Sequence, residues 1–193
     1  RPREAPVRIE RMDPVVRGAL AHAALFGWVG RLRQADLLPW SEDDRPEVLE
    51  HLSEAVRGAA AELEERLAPA IPAIWAREVA AIERDLRAWA RRELNDGLGF
   101  APRHAELSFG LERPGEADPA SVPEPVSLDL GDGARALVRG SIDLVEGRSL
   151  DGRLRVTDYK TGRRSSPAGP EAALRGGRVV QPLLYALAAE KVL

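Results

Sequence analysis

The hydrophobic periodicity of the chain changes near residue 100, and this change constrains the possible folds more than any other feature. Before it, apolar residues recur at three- and four-residue spacing, which is typical of helices that cover a core. After Pro102, apolar and polar residues alternate between turns rich in glycine and proline, which indicates strands. The sequence therefore predicts a mixed α/β fold. Residues 1–100 form its helical N-terminal part, and residues 101–193 hold a sheet and a last helix in the same structural domain.

The N-terminal part is predicted to contain three helices. Asp13 can cap the first, and Pro14 suits its first turn. The second begins near residue 44, and the third ends at the Asn-Asp-Gly run of residues 95–97. One face of the third helix carries an apolar stripe that is predicted to pack against a core: Trp75, Val79, Ile82, Leu86 and Trp89.

Two later segments alternate as strands and are joined by a short linker. They cover residues 134–146 and 153–160, and an Asp-Gly pair in the linker favours a two-residue hairpin turn, because both central positions need positive φ. That turn predicts that Asp143 lies opposite Lys160, with Asp158 diagonally adjacent on the same face of the sheet.

Two carboxylates on one face are difficult to keep ionised unless a positive charge lies between them. A divalent cation is the natural candidate, and oxygen ligands favour Mg²⁺ or Mn²⁺ over zinc. Lys160 could then position an attacking water molecule or stabilise charge on a phosphate. An isolated Asp-x-Lys pattern is more often a solvated pair on a strand face, so this pattern alone leaves both interpretations open.

Three motifs follow one another in the second half of the chain: GSID at 140–143, DYKTG at 158–162 and QPLLY at 181–185. Together they resemble the PD-(D/E)XK nuclease superfamily, in particular the RecB/AddB-type nuclease domain of bacterial helicase–nuclease repair enzymes. The resemblance implies a restriction-endonuclease-like central sheet flanked by helices. It also implies hydrolysis of DNA phosphodiesters with Mg²⁺ or Mn²⁺, and a helicase domain or subunit as partner.

The same resemblance implies roles for individual residues. The run RGALAH at 17–22 matches a further helix of the family, which makes His22 a metal ligand beside Asp143, Asp158 and the backbone carbonyl of Tyr159. Without the resemblance, His22 is better explained as a surface or core histidine. The implied catalytic residues are Asp143, Asp158, Lys160, Gln181 and Tyr185.

Gln181 and Tyr185 are four residues apart, so they share one face of a helix that must begin near Pro182. In the family this helix flanks the active site, and its glutamine and tyrosine approach the lysine or the nucleic acid. From the residues alone, Tyr185 would be a core aromatic whose hydroxyl is hydrogen-bonded.

Glu106 lies in a strand predicted before the hairpin. Leu107, Phe109 and Leu111 alternate onto one face of that strand and leave Glu106 on the other. The resemblance makes it the acidic residue of this strand and a second-tier site residue. Contact with the metal, with water or with a basic neighbour all remain open for it.

The formal net charge of −3 indicates that any nucleic acid is bound by local arginines rather than by the whole surface. Arg163 and Arg164, directly after the predicted lysine strand, are the predicted DNA-binding residues. The arginines at 87–92 alternate with acids on a helix, which favours a solvated face over a DNA track. Residues 112–125 are predicted to form an exposed, mobile loop.

Several classes of protein are excluded by composition. The chain has no cysteine, so it has neither disulfides nor thiolate ligands for an iron–sulfur cluster. No stretch approaches the roughly 18 apolar residues of a membrane span, and nothing resembles a signal peptide. These features predict a cytoplasmic protein without a membrane partner.

The chain begins and ends abruptly, which predicts that it is a piece of a larger helicase or repair protein. A second function stays open beside the active nuclease. This alternative is a catalytically silent module with the nuclease fold, which binds DNA or has a structural role in a helicase complex.

Overall fold

The computed structural model describes residues 11–69, 71–113, 115, 117–159 and 181–193. Three helices come first in these ranges, followed by strands and a last helix, so the predicted mixed α/β class is confirmed. The elements are α1 Pro14–Gln34, α2 Arg45–Leu67, α3 Pro72–Asn95, β1 Phe100–Phe109, β2 Val126–Gly131, β3 Ala134–Val138, β4 Gly140–Arg148, β5 Leu154–Thr157 and α4 Gln181–Val192.

Helix α1 begins where the capping pattern predicts. The Oδ1 atom of Asp13 accepts a hydrogen bond of 2.8 Å from the backbone N–H of Val15, and Pro14 occupies the first turn. Helix α3 ends at Asn95, and Gly97 just beyond it has a φ of 67°, a conformation that glycine adopts without strain.

The first three helices pack into a bundle around a shared core. Trp28 is fully buried, and its indole N–H donates to the carbonyl of Val48 at 2.9 Å, which satisfies its polar atom inside the core. The predicted apolar stripe of α3 packs into the same core, with Val79 partly buried and the others buried: Trp75, Ile82, Leu86 and Trp89.

A three-stranded antiparallel sheet, in the order β1-β4-β5, lies beside the bundle. Its register pairs Ala105 with Leu144 and Leu107 with Ile142. Glu106 on β1 therefore lies across from Asp143 on β4. Helix α4 packs against β5 and β2, and its buried alanines join a second core with Phe109 and Val145.

The prediction of one strand over residues 134–146 was wrong. This segment forms two strands in two sheets, separated at Arg139: β3 pairs with β2 in a two-stranded sheet of its own, and β4 pairs with β1 and β5. Both strands alternate with period two, so the pattern cannot show that the hydrogen-bonding partners change between them.

The predicted two-residue turn between β4 and β5 was also wrong. Gly152 has a φ of 71°, whereas Asp151 is not among the described residues with positive φ. The backbone N–H of Gly152 donates to the carbonyl of Arg148, and that of Arg148 to Arg153, both at 2.9 Å, which closes a four-residue loop. The Asp151 carboxylate accepts the Arg148 guanidinium at 2.8 Å and holds this longer loop.

The longer loop shifts the pairing of β4 and β5 by two residues from the prediction. Leu144 pairs with Thr157, so continuation of this register brings Asp143 beside Asp158 instead of Lys160. A shift of two residues preserves the face of each side chain, because side chains alternate with period two. The strand also ends at Thr157 rather than at residue 160, and Lys160 lies outside the described residues.

The loop after β1 was predicted to be exposed and mobile, but one of its residues is buried and hydrogen-bonded. Asp118, within it, is only 4% exposed and accepts hydrogen bonds from Ala120 N–H and from the Arg33 guanidinium, both at 3.0 Å. It also contacts His104 Nδ1 at 2.9 Å and accepts a longer hydrogen bond of 3.4 Å from the backbone N–H of Ala105. Burial opposes ionisation, but these partners outweigh it and hold the pKa of Asp118 at about 2. The loop is therefore tied to α1 and β1.

An ion pair between a buried carboxylate and a partly exposed arginine connects the helical bundle to the sheet. Glu146 on β4 is fully buried, and its carboxylate accepts the Arg155 guanidinium at 2.5 and 2.8 Å and the Thr157 hydroxyl at 2.7 Å. Arg155 also pairs with Glu93 of α3 and lies 4.7 Å from the ring centroid of Phe100. This cluster joins β1, β4, β5 and α3.

No helix in the described ranges is both long and apolar enough to cross a membrane.

Replacing Arg155 with alanine should lower the free energy of unfolding by about 3 kcal/mol, because Glu146 would keep a buried charge without its cation. The check is urea unfolding at constant m-value. Arg153→Ala is the matched control, since the Arg153 side chain is 74% exposed and its pair with Asp151 is a surface pair. Equal losses in the two variants would contradict the structural role of the ion pair.

Candidate active site

Three potential metal ligands converge where α1 crosses the sheet. Ligand atoms of His22, Glu106 and Asp143 all lie within 4.8 Å of one another. The Nδ1 atom of His22 is 2.9 Å from Oε1 of Glu106 and 3.6 Å from Oδ1 of Asp143. Two carboxylates and one imidazole thus face a common point.

Each ligand is positioned by a different element. His22 lies on α1, which packs against β1, while Glu106 and Asp143 face each other across the β1–β4 pair. Glu106 has a φ of 54°, a conformation that costs a non-glycine residue about 1–3 kcal/mol and is found disproportionately at functional sites. Its side chain is nevertheless buried and fully engaged, so the surrounding contacts hold the strained backbone in place.

The second oxygen of Glu106 is held from the other side. Oε2 accepts a hydrogen bond of 2.8 Å from Arg113 and one of 3.1 Å from the hydroxyl of Ser141, and Arg113 also reaches that hydroxyl at 3.1 Å. The sequence interpretation missed Arg113, because it stands in a segment whose composition is typical of a mobile loop. No local pattern marks it.

Asp143 is held by the chain that follows β5. Its Oδ2 atom accepts a hydrogen bond of 2.7 Å from the backbone N–H of Tyr159. The ring of Tyr159 packs edge-on against Trp89, with centroids 6.1 Å apart, so the helical bundle positions this N–H. Asp158 is exposed, and its charge acts on both His22 and Asp143.

The three ligands differ in how their charges are stabilised: His22 and Glu106 stabilise each other, whereas ionised Asp143 is disfavoured. The hydrogen bond that the imidazole of His22 donates to Glu106 raises the pKa of His22, against burial and with help from the charge of Asp143. Burial opposes ionisation of Glu106, but its hydrogen bonds to His22 and Arg113 outweigh this and lower its pKa. Burial, aided by the charges of Asp158 and Glu106, raises the pKa of Asp143 to about 6 in spite of His22 and Tyr159.

This donor set fits a divalent cation. A raised carboxylate pKa beside other acids means that the cluster has less positive charge than its ionised form requires. Carboxylate oxygens suit Mg²⁺ and Mn²⁺, and one imidazole is compatible with Mn²⁺ as well. The residues present can therefore hold such an ion between α1 and the β1–β4 pair.

The remaining predicted site residues lie at the edge of the described structure or beyond it. Tyr185 on α4 packs edge-on against Phe109 and comes so close to Gly140 that a Cβ atom there would lie 3.3 Å from the tyrosine hydroxyl. Gln181 is exposed at the start of α4. Lys160, Arg163 and Arg164 lie outside the described residues, so their predicted roles stay predictions.

The sequence of the chain also matches a known family. The profile of the PD-(D/E)XK nuclease superfamily matches residues 2–193, and the chain therefore belongs to that superfamily. Its mixed α/β fold with antiparallel sheets is consistent with the fold of these nucleases.

Part of the chain is also similar to an individual protein. Over 94 residues the chain is 44% identical to an ATP-dependent helicase/deoxyribonuclease subunit of Symbiobacterium thermophilum. The match covers 46% of this chain and 7% of that protein, so the chain corresponds to a small part of the relative.

Asp143→Asn should stabilise the metal-free protein at pH 8 by about 1–3 kcal/mol. Because folding raises the pKa of Asp143 from 3.8 to about 6, the wild type loses stability relative to the variant as pH rises through this range. The gain should therefore vanish near pH 4. Asparagine can still accept the Tyr159 N–H.

Urea unfolding in EDTA across this pH range measures the effect. Asp43→Asn is the control, because Asp43 is exposed between α1 and α2. A stability gain for Asp143→Asn that does not change with pH would contradict the assignment of this carboxylate.

Proposed function

We propose that this chain is a Mg²⁺- or Mn²⁺-dependent DNA nuclease domain of the RecB type, which hydrolyses phosphodiester bonds. The observation that carries the proposal is the convergence of His22, Glu106 and Asp143 within 4.8 Å in a chain that belongs to a nuclease superfamily. The relative carries helicase and deoxyribonuclease in one name, which supports a helicase domain or subunit as partner and a role in DNA repair or recombination.

In this proposal His22, Glu106 and Asp143 hold the ion. Asp158 and the Tyr159 carbonyl, implied by the family resemblance, complete its ligands. When bound, the ion supplies Lewis acidity and lowers the pKa of a coordinated water. Glu106 thereby moves from a second-tier candidate to a principal ligand, because it is the acid nearest to His22.

The other residues act on water and substrate. Arg113 keeps Glu106 ionised and oriented through its hydrogen bond to Oε2. Lys160 positions the attacking water, and Gln181 and Tyr185 orient the lysine or the DNA backbone, as the resemblance implies. Arg163 and Arg164, in the segment after Lys160, contact DNA phosphates in this proposal.

Metal binding tests the cluster directly. Glu106→Gln and Asp143→Asn should each weaken Mn²⁺ binding at least roughly tenfold, because each removes a charged oxygen ligand. Wild-type affinity should fall as pH drops below about 6, since protonated Asp143 cannot bind metal. Calorimetric titration measures both effects.

Glu124→Gln is the matched control for this titration, because Glu124 is exposed and lies outside the three-ligand cluster. Unchanged Mn²⁺ affinity in both cluster variants would remove these residues from the metal site.

Cleavage of linear DNA separates the nuclease from the silent module. Asp158→Ala and Lys160→Ala should each lower the rate of DNA cleavage with Mg²⁺ or Mn²⁺ by roughly 10²–10⁴-fold, because each removes a group that acts on the ion or the water. Lys191→Ala, at the other lysine of the chain, should cleave like the wild type.

Single- and double-stranded substrates should both be tested. Cleavage that survives both substitutions would place the chemistry elsewhere. A wild-type protein that binds DNA and Mn²⁺ but cleaves neither substrate would favour the silent module.

A further inference from the structure

A groove between α1 and α2 opens onto the candidate metal cluster. It encloses about 530 Å³, and His22 and Glu106 form part of its wall. A Cβ atom added to Gly27 on α1 would lie 3.8 Å from the Cβ of Ala55 on α2. Small residues therefore line the floor of the groove. A volume of this size is in the range of small-ligand sites, where roughly 300–1,000 Å³ is typical.

The groove carries cations at separated points along its length. The helices run antiparallel, as the contact of Gly27 with Ala55 and the 2.8 Å pair of Arg31 with Glu54 show. Arg31 therefore lies at one end, and the exposed Arg66 in the last turn of α2 lies toward the other. Arg113 lines the groove next to Glu106, whose charge it balances.

An aromatic ring forms part of the groove wall. Phe26 lines the groove on α1, one helical turn after His22, and is only partly buried. Proteins bind unpaired nucleic acid with a positively charged groove along the phosphate backbone and with aromatic side chains on which the bases stack. A base on an aromatic side chain needs no particular sequence, because every base has a π face.

We propose that the α1–α2 groove is a nucleotide-binding subsite in which an unpaired base of a DNA strand stacks on Phe26, with neighbouring phosphates at Arg31 and Arg66. The proposal deepens the proposed nuclease function and rests on it, because it supplies the path by which a strand reaches the ligand cluster. We expect the occupant to be a single strand, because a base pair is too wide for a groove between two packed helices.

Filling the groove tests the subsite without touching the metal ligands. Gly58 lines the groove, and a Cβ atom added there meets no atom within 4 Å, so Gly58→Leu adds an apolar side chain to open space. Gly30→Leu on α1 is the matched control, because a Cβ there also meets nothing and Gly30 does not line the groove. Neither variant should melt below the wild type, since leucine favours helix over glycine.

The probe is a fluorescein-labelled oligothymidylate of about eight nucleotides, whose binding to the protein is followed by anisotropy in EDTA. Gly58→Leu should weaken binding roughly tenfold, and Gly30→Leu should bind like the wild type. A labelled duplex should bind more weakly than the single strand and should be insensitive to Gly58→Leu. Without a metal ion, the result does not depend on whether the domain cleaves DNA.

Two further variants address the stacking and the phosphates. Phe26→Leu keeps most of the apolar volume but removes the ring, and it should weaken binding of the oligonucleotide several-fold. Arg66→Gln should weaken binding and reduce its salt dependence, whereas Arg57→Gln, an exposed residue of α2 outside the groove, should not. Unchanged binding in Gly58→Leu and Phe26→Leu, or an equal loss in Gly30→Leu, would overturn the subsite.

Discussion

The ion pair of Glu146 and Arg155 is the interaction on which the rest of the site depends. A fully buried carboxylate is tolerable only with a cation and further hydrogen bonds, and here Arg155 and Thr157 supply them across the β4–β5 pair. This requirement fixes the register of the two strands and ties them to α3 through Glu93. The chain that leaves β5 is then directed toward α3, where the backbone N–H of Tyr159 reaches Asp143.

In the candidate site, unlike at Glu146, one buried carboxylate is poorly stabilised in its ionised form. Glu106 is balanced by His22 and Arg113, whereas Asp143 accepts a hydrogen bond from the backbone N–H of Tyr159 and shares the charge of His22. Burial and the neighbouring acids nevertheless raise its pKa, so a neutral residue at this position is expected to make the metal-free protein more stable. A cation bound here would offset the repulsion among these acids, in keeping with the proposed metal site.

The groove and the cluster share residues, which connects binding with chemistry in this proposal. Arg113 lines the groove and also holds Glu106, so a phosphate that drew Arg113 away would leave Glu106 more dependent on a metal ion. Phe26 and His22 lie one turn apart on α1, so the same helix would present a base-stacking surface and a ligand. The helical N-terminal part therefore belongs to the site as much as the sheet does.

The sequence by itself determined the helix cap at Asp13, the core stripe of α3, the presence of strands at β1, β4 and β5 and, through its motifs, the nuclease superfamily. Periodicity, capping and motif order are properties of neighbouring residues, and a register error of two positions does not change a strand face. Only the tertiary structure decided which strands pair, that Glu106 stands between His22 and Asp143 with Arg113 behind it, and that α1 and α2 leave a groove at the cluster. These features depend on hydrogen-bond register and on side chains as far apart in the chain as His22 and Asp143, which no local pattern records.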